Sequence, residues 1–154
     1  MVRRRSAGFT LLELLCAIGV LSLLAAASLP RISAALPALA LDRAAHQIVS
    51  ELELARVEAI NRNTRARTIF DLATARYFVE LESEGRFESE GSARTLPSDV
   101  SFDSASSSRV SGGRISITFV PRGNTVDNAT IALTTAAGGS RRIVVSGAGR
   151  VRME

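Results

Sequence analysis

The pattern of hydrophobic positions divides the chain into an apolar run, a helical stripe and a series of alternating segments. Residues 9–29 are almost wholly apolar and carry a single charge, Glu13. From Leu39 to Arg62, apolar residues recur at spacings of three and four, which places them on one face of an amphipathic helix. The members of this stripe are Leu41, Ala45, Ile48, Leu52, Ala55 and Ala59. The helix is predicted to end at residues 61–63, where two asparagines favour a turn.

After residue 64 the apolar period shortens to two, which is typical of half-buried strands. Residues 67–72 and 76–82 flank a short turn and therefore predict a hairpin. The polar stretch 83–95 is predicted as a loop or ragged edge, and 103–113 as a flexible Ser/Gly loop. The remaining predicted strands lie at 100–102, 114–119, 129–134 and 141–146, with a final arm after the glycines of 147–149.

These elements predict an α+β fold in which a long N-terminal helix, half transmembrane and half amphipathic, packs on an antiparallel β-sheet head. The predicted parts are a leader peptide at 1–8, a transmembrane segment at 9–29, an amphipathic continuation at 30–63 and a β-rich periplasmic head at 64–154.

The apolar run has the length of a membrane span. As a helix, its 21 residues would extend about 31 Å, which matches the roughly 30 Å hydrocarbon core of a bilayer. Arg3, Arg4 and Arg5 precede the run and are predicted to stay cytoplasmic, so the head would face outward from a single pass. An ionised Glu13 at the bilayer centre would cost about 2.5–3.5 kcal/mol, and it calls for a positive partner. Cleavage after Gly8 would create one, the α-amino group of Phe9.

The residues Gly8-Phe9-Thr10-Leu11-Leu12-Glu13, behind a basic leader, resemble the class III signal of type IV prepilins. The resemblance implies that a prepilin peptidase cuts after Gly8 and methylates the new N-terminal Phe9. It also implies that Glu13 pairs with the N-terminus of a neighbouring subunit and sets the register of assembly in a filament. Inner-membrane lipid and other pilins or pseudopilins are then the expected partners.

Two other interpretations of the N-terminus stay open. An ordinary secretory signal also has a basic start, and Ala25-Ala26-Ala27 offers a small-residue cleavage site, although its apolar stretch is usually only about 7–15 residues. A plain membrane anchor with an incidental Glu13 is the second alternative.

Two later stretches resemble the GspH/FimT family: Phe119-Val120-Pro121-Arg122-Gly123 and the closing segment 143–152. The resemblance implies a pilin-like fold and a minor pseudopilin of a type II secretion system or a minor pilin of a type IV pilus. Some FimT members bind DNA for uptake and carry a G-R-x-R motif, which Gly149-Arg150-Val151-Arg152 matches. Arg150 and Arg152, joined by Arg141 and Arg142, are therefore candidate DNA-binding residues, with solvated surface arginines as the alternative.

Composition limits the chemistry. All 19 basic residues are arginines, and removal of the three in the leader leaves 16 against 15 acids, so the mature chain is nearly neutral. The single Cys16 and single His46 exclude a Cys/His zinc site. We find no nucleophile–base pair and no phosphate-binding glycine loop. The sequence therefore predicts a structural or binding protein with no catalytic residues, metal or cofactor.

Overall fold

The computed structural model describes residues 10–104, 107–126 and 128–154. Within these ranges, residues 27–35 are described by their backbone only. Two compact units divide between Leu36 and Pro37. Gly8 and Phe9, the predicted cleavage site, lie outside the described residues.

One α-helix, α1, extends over Leu11–Asn61. It ends where the sequence predicted, because the Thr64 amide donates to the carbonyl of Ala59 and Asn63 adopts a positive φ of 49°. In the second unit, every member of the predicted stripe is buried to 2% exposure or less. His46 lies on the opposite, exposed side of the helix.

The first sheet has five antiparallel strands in the order β3-β2-β1-β6-β5. β1 (Ala66–Asp71) and β2 (Arg76–Ser83) form the predicted hairpin, and β1 also pairs with β6 (Arg114–Phe119). The outer strands are β3 (Arg86–Thr95) and β5 (Val110–Ser111). Alternate residues of the three central strands face the helix, so one face of this sheet is buried from solvent.

The second sheet has four antiparallel strands in the order β4-β7-β8-β9. These strands are β4 (Val100–Phe102), β7 (Ala129–Thr135), β8 (Ser140–Val145) and β9 (Val151–Met153). Their inward residues, including Ile131, Leu133 and Ile143, join the helical stripe and the first sheet in a single hydrophobic core.

The loop alternative for 83–95 is wrong, since residues 86–95 form the longest strand of the head. The ragged-edge alternative agrees with the structure, because β3 lies at the edge of its sheet and its register with β2 is irregular between Tyr77 and Val79. Nearly all side chains of β3 are exposed, so the stretch lacks the alternation that marks a half-buried strand. Backbone pairing with β2 forms the strand instead. The predicted loop at 103–113 likewise contains the short strand β5, and residues 105–106 within it lie outside the described residues.

Among the residues that the structure describes, no helix meets the length and hydropathy criteria for a membrane span. The predicted segment 9–29 includes Phe9 and the side chains of 27–29, which lie outside the described residues. The single-pass topology therefore stays a prediction.

Candidate functional site

The helix start carries the polar part of the N-terminal motif. Thr10 precedes the helix, and its hydroxyl accepts a hydrogen bond from the backbone N–H of Glu13 at 3.2 Å. This is half of a capping box, in which a threonine caps the helix and a glutamate occupies the third helical position. A carboxylate in the first turn also interacts favourably with the positive end of the helix dipole. Glu13 is thus built into the start of α1.

The helical residues that follow expose their apolar side chains. Leu11 and Leu12 are 78% and 72% exposed, and the exposed set continues to Leu24. An exposed apolar surface of this kind marks a site that is covered by lipid or by other protein. The other members of the set are Leu14, Leu15, Ile18, Val20, Leu21 and Leu23.

In the head, the two C-terminal stretches that carry the family resemblance meet in space. The Gly123 amide donates to the Val120 carbonyl at 2.8 Å and closes a β-turn with Pro121 and Arg122 at its centre. A second turn, which we call the glycine turn, spans residues 146–150 and is closed by the Gly149 amide on the Ser146 carbonyl at 2.7 Å.

Hydrogen bonds connect the two turns. The Thr125 amide donates to the Gly147 carbonyl at 3.0 Å, and the Thr125 hydroxyl donates to the Ser146 carbonyl at 2.9 Å. The side-chain oxygen of Asn128 accepts the Gly147 amide. The two stretches are therefore one structural unit, although they are separate in sequence.

Positive φ angles and close neighbours, backbone at Gly149 and side chain at Gly123, explain two of the glycines in this unit. Gly149 has a φ of +76°, and a Cβ atom there would lie 1.9 Å from the carbonyl oxygen of Gly123. Gly123 has a φ of +79°, and its Cβ would lie 2.8 Å from the side chain of Ile60 on α1. Arg56 of the helix completes the junction, because its Nε donates to the Gly123 carbonyl at 2.8 Å. A side chain at position 149 would therefore require a backbone shift, whereas one at position 123 would require the Ile60 side chain to move.

The candidate arginines divide between two faces of the second sheet. Val151 and Met153 pack against the core, whereas Arg150 and Arg152 are exposed on the outer face. Arg152 lies opposite Val144, which places it diagonal to Arg142, about 7–8 Å away on the same face. The structure thus brings Arg142, Arg150 and Arg152 together.

Arg141 does not join them. It alternates with Arg142 along β8, so it is directed toward the helix side of the sheet. Its Nε lies 3.5 Å from a carboxylate oxygen of Asp42 on α1. No ion pair within 4 Å connects Arg142, Arg150 or Arg152 with another described residue. Glu154 lies directly opposite Arg142, because the two residues exchange backbone hydrogen bonds of 3.0 and 2.8 Å, so this face carries three arginines and one acid.

Within the described ranges, no three His, Cys, Asp or Glu side chains converge as metal ligands would. The surface chemistry of the head is that of arginines and paired carboxylates, such as the Arg62 bonds to Glu58 and Glu90.

A long N-terminal helix that contributes half of its length to a two-sheet antiparallel head defines a pilin-like α+β protein. The family model for the type II transport protein GspH matches residues 44–149, and that for the prokaryotic N-terminal methylation motif matches residues 3–29. The chain belongs to the GspH family. It carries the N-terminal methylation motif, and its family description and its 32% identical relative make it a pilin-like protein of the type II transport kind.

Relatives agree with this assignment. The pilin-like protein PilA1 of Thermus thermophilus is 32% identical over 161 residues, covering 100% of both chains. The minor pseudopilin EpsH of the Vibrio cholerae type 2 secretion system is similar in fold, with a TM-score of 0.62 and 14% identity over 74% of this chain and 95% of that one. The Pseudomonas aeruginosa type IV minor pilin FimU has a TM-score of 0.57 and 22% identity, covering 74% and 87%. The predicted family and fold class are confirmed.

Proposed function

We propose that this chain is a minor filament subunit that is cleaved after Gly8, methylated at Phe9 and anchored in the bacterial inner membrane by residues 9–29. In the proposed assembly step, the carboxylate of Glu13 pairs with the α-amino group of Phe9 on a neighbouring subunit. The observation that carries the proposal is the methylation motif over residues 3–29, with Glu13 in the first turn of α1. A filament of the type II secretion or type IV pilus kind would then use the subunit in protein secretion or pilus function.

Processing is tested by mass spectrometry of the chain extracted from membranes. The expected product begins at methylated Phe9. A product that begins at Ser28 would instead identify a secretory signal, and an uncleaved chain would identify a plain anchor.

Assembly is tested by comparing Glu13→Ala with Ser22→Ala, a matched change of another exposed polar residue on α1. We expect Glu13→Ala to abolish incorporation into sheared filaments while the cleaved chain stays in the membrane. Ser22→Ala should incorporate normally. Normal incorporation of Glu13→Ala would show that the carboxylate does not guide assembly.

A second candidate function is DNA binding by the outer face of the second sheet. It is favoured by three exposed arginines against one acid, Glu154, on this face, since guanidinium groups bind phosphate oxygens through paired hydrogen bonds. Residues 109–154 also carry seven arginines and only two acids, which favours a local positive potential. This candidate would place the chain among DNA-capturing minor pilins.

Gel shifts over a range of salt concentrations test this candidate. The double variant Arg150→Ala/Arg152→Ala should lower the slope of log affinity against log salt by about 1.8, because each lost phosphate contact contributes about 0.9. Arg43→Ala/Arg86→Ala removes the same charge elsewhere on the surface and should leave the slope unchanged. Absence of wild-type binding at low salt would eliminate the candidate.

A further inference from the structure

The half-buried side chain of Arg56 joins the helix to the two turns that carry exposed arginines. Its Nε donates to the Gly123 carbonyl at 2.8 Å, and its Nη1 lies 3.7 Å from the Glu53 carboxylate on the preceding turn of α1. The same Nε would be 3.2 Å from a Cβ atom at position 149. Arg56 therefore donates to the Val120–Gly123 turn and lies beside the glycine turn.

The contact between the two turns limits the distance between two surface arginines. Arg122 directly precedes Gly123, and Arg150 directly follows Gly149. Because Gly123 and Gly149 touch, standard backbone dimensions keep the Cα atoms of Arg122 and Arg150 within about 13 Å of each other. One polyanion could bind both side chains.

We infer that Arg56 is a positioning residue that holds the glycine turn against Gly123, and that Arg122 thereby becomes a further member of the arginine surface. Arg56 acts from α1, where its Nε–H donates a hydrogen bond to the backbone carbonyl of Gly123. The holding function follows from the contacts alone. Its consequence for DNA rests on the second candidate function proposed above.

Amide hydrogen exchange of the full chain in detergent tests the holding function. Arg56→Met keeps an unbranched side chain but removes the donor, so the Gly123 carbonyl loses its partner. Since an intramolecular hydrogen bond contributes modestly, we expect exchange of residues 146–150 to accelerate about five- to tenfold. Arg56→Lys retains a donor and should accelerate it less. Arg43→Met, an exposed helix control, should have no effect.

Strands β7 and β8 report whether the effect is local. Acceleration confined to the two turns supports the inference. Unchanged exchange in the turns would overturn it, and so would equal acceleration across β7 and β8, which would signify global destabilisation.

Duplex DNA binding of the same variants tests the consequence for recognition. Arg122→Ala should lower the salt slope by about 0.9, as expected for one phosphate contact. Arg56→Met should weaken binding several-fold without a change in slope. A fall in slope for Arg56→Met would identify a direct contact and overturn the positioning role, and unchanged affinity would overturn its link to binding. If the wild type binds no DNA, the DNA candidate fails, and hydrogen exchange alone decides the function of Arg56.

Discussion

Replacement of Gly149 by alanine should destabilise the head through two separable effects. The first is backbone strain, because the φ of +76° lies in the left-handed region. For a residue with a Cβ atom, this conformation costs about 1–2 kcal/mol. The second is a collision, since the new methyl group would lie 1.9 Å from the Gly123 carbonyl oxygen.

The collision cannot be relieved without moving one turn away from the other. Such a movement disrupts the hydrogen bond from Arg56 to Gly123 and the bonds from Thr125 to the glycine turn. Loss of one or two bonds at about 1 kcal/mol each adds to the strain. We therefore expect Gly149→Ala to lower the free energy of unfolding by about 2–4 kcal/mol.

Gly138→Ala provides a matched control. Gly138 has a φ of +84°, but no atom lies within 4 Å of the position that its Cβ would occupy. This variant should show the strain alone, about 1–2 kcal/mol. Urea unfolding of the detergent-solubilised chain measures the loss of unfolding free energy in each variant, provided that the dependence of that free energy on urea concentration is the same for both. Equal destabilisation by the two variants would refute the close approach between the turns.

Three further predictions concern the core and the sheet. Ile48→Ala should cost about 2–5 kcal/mol in urea unfolding because the side chain is fully buried, whereas Val57→Ala, which is 46% exposed, should cost less than about 0.5. Tyr77→Phe should change stability by less than about 1 kcal/mol, because the buried hydroxyl makes no hydrogen bond of normal geometry, although the Arg94 guanidinium interacts with it from the neighbouring strand; a loss above about 1 kcal/mol would show that the Arg94 contact is a stabilising hydrogen bond. The backbone amide of Thr74 lowers the pKa of Asp71 below the ordinary value of an aspartate, so the stabilising contribution of this carboxylate is present above that ordinary value and is lost as the pH falls toward the lower folded value. Asp71→Asn should therefore weaken the decline of the urea midpoint below about pH 4, and an unchanged decline would contradict this assignment.

The sequence predicted those elements whose side chains alternate between core and solvent. The helical stripe from Leu41 to Ala59 and the β1–β2 hairpin could be predicted, because burial on one face makes apolar residues recur with a period of 3.6 in a helix and 2 in a strand. β3 could not be predicted from this pattern, since nearly all of its side chains are exposed and its extended conformation depends on backbone pairing with β2. The hydrophobic pattern also did not predict that the strands divide into two sheets, because that division depends on which strands pair across long distances in sequence.

The candidate arginine surface was only partly predictable. The prediction grouped Arg141 with Arg142, but the two residues alternate along β8 and face opposite ways, and Asp42 on the helix is the partner of Arg141. The local sequence pattern did not predict the contact of Arg56 with the turns, because Arg56 is simply a polar residue next to the buried stripe of the helix. Its role depends on a carbonyl 67 positions later in the chain, which only the folded structure brings near.

The G-R-x-R segment therefore combines two physically distinct requirements. Gly149 is needed where two backbones touch, so it would be required in any head that packs these turns together, whether or not DNA is bound. The side chains of Arg150 and Arg152 make no hydrogen bond or ion pair with another described residue, and Val151 and Met153 supply the packing of β9. A variant at Gly149 should thus reduce stability first, and variants at the two arginines should change binding while stability stays within about 0.5 kcal/mol. If the arginine variants unfold the head instead, their side chains serve the fold and the surface is not a binding site.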